Sequence, residues 1–351
     1  MAEILQGNNN EAKQQNNEAK LLADDDSLRK IALLYYEEGA SQEYIAGKMN
    51  CSRQVVSKAL QRAKERQIVR ITIAPHLRTG FLRNLTRQTR MQLKLEDVVL
   101  VPGGNMNNIG KQAFLEDVVA EIASMGAEYL DQILTDSDVL AVSGGSRFMR
   151  NLVRYLHPTN RLGHMNTVAT IGFVDARTNF GDANLIAHDL ADAYSGTHLW
   201  FPCPAFLDTP EEVERIRQLP VVKEAYQMMQ KANLVLTGLW TSQSNDELAK
   251  KGTLKPDELR AIEKYKPVAD INHWLFDEEG QCVNEMFQPF PFYLTGLEIP
   301  NLRQKVAEEK TKVILLAGGS PGHVAAIRSV IRAGIVSILI TDHTTAQLLI
   351  E

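Results

Sequence analysis

Residues 313–342 read VILLAGGSPGHVAAIRSVIRAGIVSILITD: an apolar strand, a glycine-rich turn opening a helix, and a second apolar strand. This is the rhythm of a βαβ unit, whose strands lie parallel with helices covering the sheet. The same rhythm runs through the chain upstream. It begins with DVVLVPGG (97–104) and a helix around 113–134, then DVLAVSGGSRF (138–148) and a helix to about His157. TVATIGF (167–173), a helix from about 183 to 195, HLWFPCPAF (198–206), a helix over 211–231 and NLVLTGLW (233–240) follow. Residues 96–351 are therefore expected to form one Rossmann-like α/β domain. No internal repeat is evident.

The 351 residues, 44% apolar and 23% charged, suffice for a large core and a second, smaller module. No apolar run of about twenty residues is present to span a membrane. The opening MAEILQGNNNEAKQQNNEAK lacks the pattern of a secretory signal, so a cytoplasmic protein is expected. Cys51, Cys203 and Cys282 are odd in number and far apart, which fits reduced packing thiols and supplies no zinc or redox pair. His157, His164, His188 and His198 have no consistent ligand spacing, so neither metal nor cofactor is expected.

The net charge of −5 is unevenly spread. Residues 28–70 hold nine Lys or Arg against four Glu, a local +5 that leaves −10 for the remainder. A basic module on an acidic body suits phosphate neutralisation, although a basic face also serves solubility. Within it, SLRKIALLYYEEG places Leu28, Ile31, Ala32, Leu34 and Tyr35 on one helical stripe, with Gly39 as terminator. Ser41 caps a second helix with Tyr44, Ile45, Ala46 and Met49 facing inward, and Asn50 turns the chain. Ser52 caps a third helix ending near Gln67, with Val55, Val56, Ala59 and Leu60 inward. IVRITIAP then reads as a strand stopping at Pro75, a wing.

The expected organisation is a mobile polar tail (1–26), a winged helix-turn-helix DNA-binding domain (27–75), a linker helix (76–95) and the α/β domain (96–351). The linker carries Leu77, Phe81, Leu85 and Leu93 on one stripe and could pair protomers. Gln42, Ser52, Arg53, Gln54, Ser57 and Lys58 are the candidates for base edges and phosphates, with Arg62 on the backbone.

Two strand-to-helix turns stand out in the α/β domain. Ser143-Gly144-Gly145-Ser146-Arg147 and Gly318-Gly319-Ser320-Pro321-Gly322-His323 offer backbone N–H groups and a helix N-terminus to an anion. Neither is a dinucleotide fingerprint or a Walker A loop, and a tight turn without a ligand remains an alternative for each. Asp182 and Asn184 lie near strand ends, and Asp342 and Thr344 read as helix caps. Asp270, in PVADINHW, is a carboxylate placed to accept from a ligand hydroxyl with Trp274 as cover. No nucleophile elbow or Cys/His pair suggests a hydrolase.

Taken together, IALLYYEEGASQEYIAGKMNCSRQVVSKALQRAKERQIVRITI, VLAVSGGSRF, FGDANLIAHDLADAYSGTHLWFPCPAF, PVADINHWLFDEEG and the closing VILLAGGSPGHVAAIRSVIRAGIVSILITDHTTAQLL resemble the SorC-type sugar-binding transcriptional regulators, which overlap in name with part of the DeoR group. The resemblance covers nearly all of 28–351. It implies an effector domain related to sugar-phosphate isomerases, ligand-controlled binding to operator DNA of a catabolic operon, and a homotetramer. It makes Gly144, Gly145, Ser146 and Arg147 the anion cradle, and Asp270 and Trp274 ligand contacts.

One departure matters. Where the family commonly has a lysine after AGG, this chain has His323 after a one-residue insertion, and Ala269 precedes Asp270 where glycine is usual. An imidazole is a weaker and pH-sensitive anion partner. The expected effector is thus a sugar phosphate, a polyol or a carboxylate such as citrate. An isomerase or deaminase with Asp270 as general base is the enzymatic alternative, and a tetramerisation scaffold with a vestigial pocket is the third.

Overall fold

The computed structural model describes residues 18, 21–36, 38–66, 68–69, 79–103, 112–174, 182–241, 244–250 and 253–351, which fall into two units, Met1–His76 and Leu77–Glu351. In the first unit α1 (Asp25–Tyr36), α2 (Gln42–Met49) and α3 (Arg53–Glu65) close on Leu28, Ile31, Leu34, Ile45, Val56, Ala59 and Leu60. The punctuation is that of the sequence. Gly39 follows α1 at φ 66°, the Ser41 hydroxyl accepts the Tyr44 N–H at 3.2 Å, and Asn50 ends α2 at φ 49°. The segment expected as a wing lies largely outside the described residues.

Two expectations fail here. Tyr44 does not face inward; it is 60% exposed, because Ile45 and Ala46 suffice to cover the short α2 against its neighbours. The tail is also shorter than read. Leu21 is buried and Leu22 packs on the helices, while Arg62 and Arg66 donate to the carbonyls of Leu22 and Ala23. Two adjacent leucines at the end of a polar stretch are enough to hold it.

The second unit opens with α4 (Thr79–Leu93) and a seven-stranded parallel sheet. Its strands are β1 (Asp97–Val101), β2 (Val139–Val142), β3 (Asn166–Ala169), β4 (Thr197–Leu199), β6 (Leu234–Gly238), β11 (Lys312–Leu316) and β12 (Ile338–Asp342), in the spatial order β1-β12-β11-β6-β2-β3-β4. Successive residues alternate between two cores. In β11, Val313 and Leu315 enter one core while Ile314 and Leu316 enter the other. Both faces are covered, which explains why the strands read as unbroken apolar runs.

Helices α5 (Gln112–Ile133), α6 (Arg147–Leu152), α7 (Ala183–Tyr194), α8 (Pro210–Arg217), α9 (Pro220–Gln230), α13 (Ile299–Ala307) and α14 (Pro321–Arg332) lie between strands, and α15 (His343–Ile350) follows β12. The helix expected over 211–231 is two helices. Pro220 lacks an N–H and pushes Leu219 out of the helical region, to ψ 131°. A three-stranded antiparallel sheet, β7 (Trp240–Thr241), β8 (Ala269–Ile271) and β9 (Trp274–Phe276), branches from the end of β6 and was not legible in the sequence. The unit also contains α10 (Ser244–Lys250), α11 (Pro256–Glu263), α12 (Val283–Met286) and the paired β5 (Phe206–Leu207) and β10 (Tyr293–Leu294).

Candidate functional site

The strand order reverses between β2 and β6. From β2 the chain builds outward to β3 and β4; from β6 it builds the other way to β11 and β12. Crevices at such switch points, outside the carboxyl ends of the strands, are where open α/β sheets hold ligands. The turn after β2 and the step from β6 into β7 meet there. Gly145 sits at φ 81°, and a Cβ on it would stand 3.2 Å from the indole nitrogen of Trp240. The glycine thus lets Trp240 lie on the turn.

Trp240 is in turn the direct cross-strand partner of Asp270 in the β7–β8 pair, and opposite residues of an antiparallel pair share a face. Asp270 is buried. Its Oδ1 accepts the His273 N–H at 2.7 Å, and its Oδ2 has no hydrogen-bond partner among the described residues. His273 Nδ1 stands 3.6 Å from that oxygen. Asn272 and His273, at φ 53° and 64°, form the two-residue turn from β8 to β9, a conformation that costs energy in non-glycine residues. A buried, half-satisfied carboxylate beside a strained turn is poised to accept from a ligand hydroxyl.

Other expected contacts are placed differently. Trp274 donates its indole N–H to the Leu297 carbonyl at 2.9 Å, whereas Trp240 is the ring that lies on the turn at Gly145. Ser146 is buried against Gly238, and its hydroxyl accepts the Met149 N–H as the cap of α6. Gly144 remains partly accessible and Arg147 is exposed at the rim.

The second glycine turn is bonded inward. Gly319 donates its N–H to Asp342 Oδ2 at 2.8 Å, Gly318 packs against the same carboxylate, and Thr345 completes the set through its N–H and hydroxyl. Asp342 occupies the place an external anion would take. Asp182 caps α7, and the Asn184 amide bonds both backbone groups of Phe201, so these serve structure.

His323 begins α14. Its Nδ1 shares a 2.8 Å hydrogen bond with Ser320, and its ring meets Phe148 of α6 edge-on at 5.8 Å, which draws the two turns together. Burial is the main influence on its pKa, pushing it down to about 4, so the imidazole is neutral near pH 7. The unfolded chain, with an ordinary histidine pKa, takes up this proton first. Stability is therefore expected to fall as pH drops from about 6.5 towards 4, by up to about 3 kcal/mol from this residue. His323→Gln should flatten that part of a melting-temperature profile; an unchanged slope would remove His323 as its source.

In the first unit, Arg53, Gln54, Ser57 and Lys58 are exposed along the first turns of α3, opposite Val55, Val56, Ala59 and Leu60. Ser52 holds the N-cap position without a side-chain cap bond; its N–H goes to the Glu18 carboxylate at 2.9 Å. Gln42 opens α2 and is partly exposed. Arg53 pairs with Glu43 at 3.0 Å, a solvent-exposed pair of little energetic weight that a phosphate or base can displace. Arg62 is exposed and donates from one guanidinium nitrogen to the Leu22 carbonyl at 2.8 Å.

A doubly wound α/β unit with a buried carboxylate near its switch point, preceded in sequence by a basic three-helix unit, has the parts of a ligand-responsive regulator. Comparison with known proteins makes that specific. Residues 79–351 match the family described as "Putative sugar-binding domain". The deoxyribonucleoside regulator of Bacillus subtilis is 26% identical, covering 91% of this chain and 96% of its own. The sorbitol operon regulator of Klebsiella pneumoniae is 24% identical, covering 92% and 96%. The crystal structure of full-length SorC from Klebsiella pneumoniae shares the fold, with a TM-score of 0.63 and 22% identity over 94% of this chain and all of that one. The chain belongs to this sugar-binding-domain family, that of the SorC-type transcriptional regulators, and is a regulator rather than an enzyme.

Proposed function

We propose that the first unit is a winged helix-turn-helix that reads operator DNA with α3, and that the second unit senses a hydroxylated metabolite of the sugar or polyol class. The observation that carries the sensor reading is the buried Asp270 oxygen with no hydrogen-bond partner among the described residues, on the strand paired with Trp240 near the switch point. A carboxylate there favours hydroxyl donors over an effector that is itself a carboxylate. The neutral His323 supplies no charge for a phosphate, which leaves the exposed Arg147 as the cation for an anionic group at the rim. The relatives include regulators named for sorbitol and deoxyribonucleosides, which supports the class without fixing the compound. A cytoplasmic homotetramer acting on a catabolic operon completes the reading.

The test is a thermal-shift screen against polyols, sugars, sugar phosphates and small carboxylic acids, with every hit repeated in an operator-binding assay. An effector at a hundred times its Kd adds about 2.7 kcal/mol of apparent stability. A stabilising polyol or sugar that changes operator affinity supports the reading. Carboxylic acids as the only hits would overturn the effector class. For the DNA unit, Arg53→Ala should weaken operator binding by about 1–3 kcal/mol and relax base preference at one position. An unchanged operator affinity would move the reading surface away from α3.

A further inference from the structure

The basic region does not end with the three-helix unit. Between Glu65 and Glu96 the chain has no acidic residue and seven Lys or Arg, in a protein with 43 acidic residues overall. Counting residues 28–95 as one region doubles its charge to +10 and leaves −15 for the rest. Four of these cations, Arg83, Arg87, Arg90 and Lys94, belong to α4 and the residue just beyond it, and all four are exposed.

At 3.6 residues per turn, Arg83, Arg87 and Arg90 fall within an arc of about 60° and extend over roughly 10 Å of helix. The opposite face, with Leu85 and Thr89 buried, packs against β1 and α15. Among the described residues no carboxylate pairs with any of the four cations. Helix stability does not explain the stripe. Cations favour only the last turn of a helix, which accounts for Arg90 and Lys94 but not for Arg83 and Arg87. Surface helices also usually intersperse acids to form pairs along a face, and α4 contains none.

We propose that this stripe is a second DNA-contacting surface: α4 binds the phosphate backbone of duplex DNA. Charge complementarity selects this occupant, since three or four unpaired cations in line suit a polyanion with a charge every few ångströms. The contact is sequence-blind, because phosphates position a protein without specifying bases. It rests on the DNA-binding reading of the first unit and extends that reading to a helix of the effector unit.

The experiment titrates the full-length chain against a labelled duplex of arbitrary sequence between about 50 and 200 mM KCl. Each phosphate contact contributes about −0.9 to the slope of log affinity against log salt. The triple variant Arg83→Gln/Arg87→Gln/Arg90→Gln should flatten the slope by roughly 2 to 3, shrinking the affinity lost across that salt range by tenfold or more. The Arg-to-Lys triple variant should restore the slope, and equal melting temperatures exclude misfolding as the cause. An unchanged slope overturns the proposal, as does a change confined to sedimentation, which would assign the stripe to a second copy of the chain. If the unaltered protein binds no duplex at all, the DNA reading of the first unit fails instead.

Discussion

An Asp270→Asn variant is expected to bind operator DNA normally and to lose its response to effector. The amide keeps an oxygen for the His273 N–H, so the tight turn between β8 and β9 should survive. What disappears is the charge on the second oxygen. Hydrogen bonds to charged groups are worth about 1.5–3 kcal/mol, which corresponds to a roughly 10- to 150-fold rise in effector Kd. Trp240→Ala should weaken the same ligand by removing the ring that covers the turn at Gly145. The measurement is an operator titration with and without the effector identified by thermal shift. Retained response in both variants would place the effector outside this crevice.

Arg217→Ala should produce a large loss of stability in the α/β unit. The side chain is 10% exposed and gathers five contacts around its guanidinium. Nε donates to the Thr295 carbonyl at 3.0 Å, one terminal nitrogen pairs with Glu298 at 2.6 Å, and the other reaches the carbonyls of Leu294 and Gly296 at 3.3 and 3.2 Å. The group also lies 4.3 Å over the ring of Tyr226. The segment it grips continues to Leu297, whose N–H bonds the carbonyl beyond β3 and whose own carbonyl receives Trp274. Alanine leaves a carboxylate and three carbonyls without this donor, a change costing about 3–5 kcal/mol. In a unit of this size the melting temperature should fall by roughly 10 °C. Lysine cannot reproduce a fork with so many acceptors and should recover only part of the loss. A shift of a degree or two in Arg217→Ala would show the clamp to be dispensable.

Much of this architecture was legible because its signals are local. Apolar runs ending in Gly-Gly mark strands entering helices, and the 3.6-residue stripes of residues 28–65 mark α1 to α3. The small sheet β7–β8–β9 was missed because its strands are two or three residues long, and pairing across about thirty residues leaves no periodicity. That pairing decides which tryptophan stands opposite Asp270. Trp240 and Trp274 both adjoin Asp270, and only the register separates one opposite the carboxylate from one bonded to Leu297. Gly318-Gly319 looked like an anion cradle because the group filling it, Asp342, lies 23 residues further along and reads simply as a helix cap. Local spacing identifies the turns, whereas which of them stays open to a ligand depends on contacts between distant segments.

The placement of β1 has a consequence for biosynthesis. This strand leaves the ribosome before the rest of the sheet, yet among the described residues it pairs only with β12, and the Gly103–His343 bond joins residues 240 apart. At 5–20 residues per second, β1 waits roughly 10–50 s for its neighbour. The three-helix unit, whose contacts are local, can fold during that interval. A nascent chain arrested before residue 338 would carry a folded three-helix unit followed by an apolar strand with no neighbour, a species prone to aggregate or to be taken by chaperones. The sheet therefore closes only when β12 has been made.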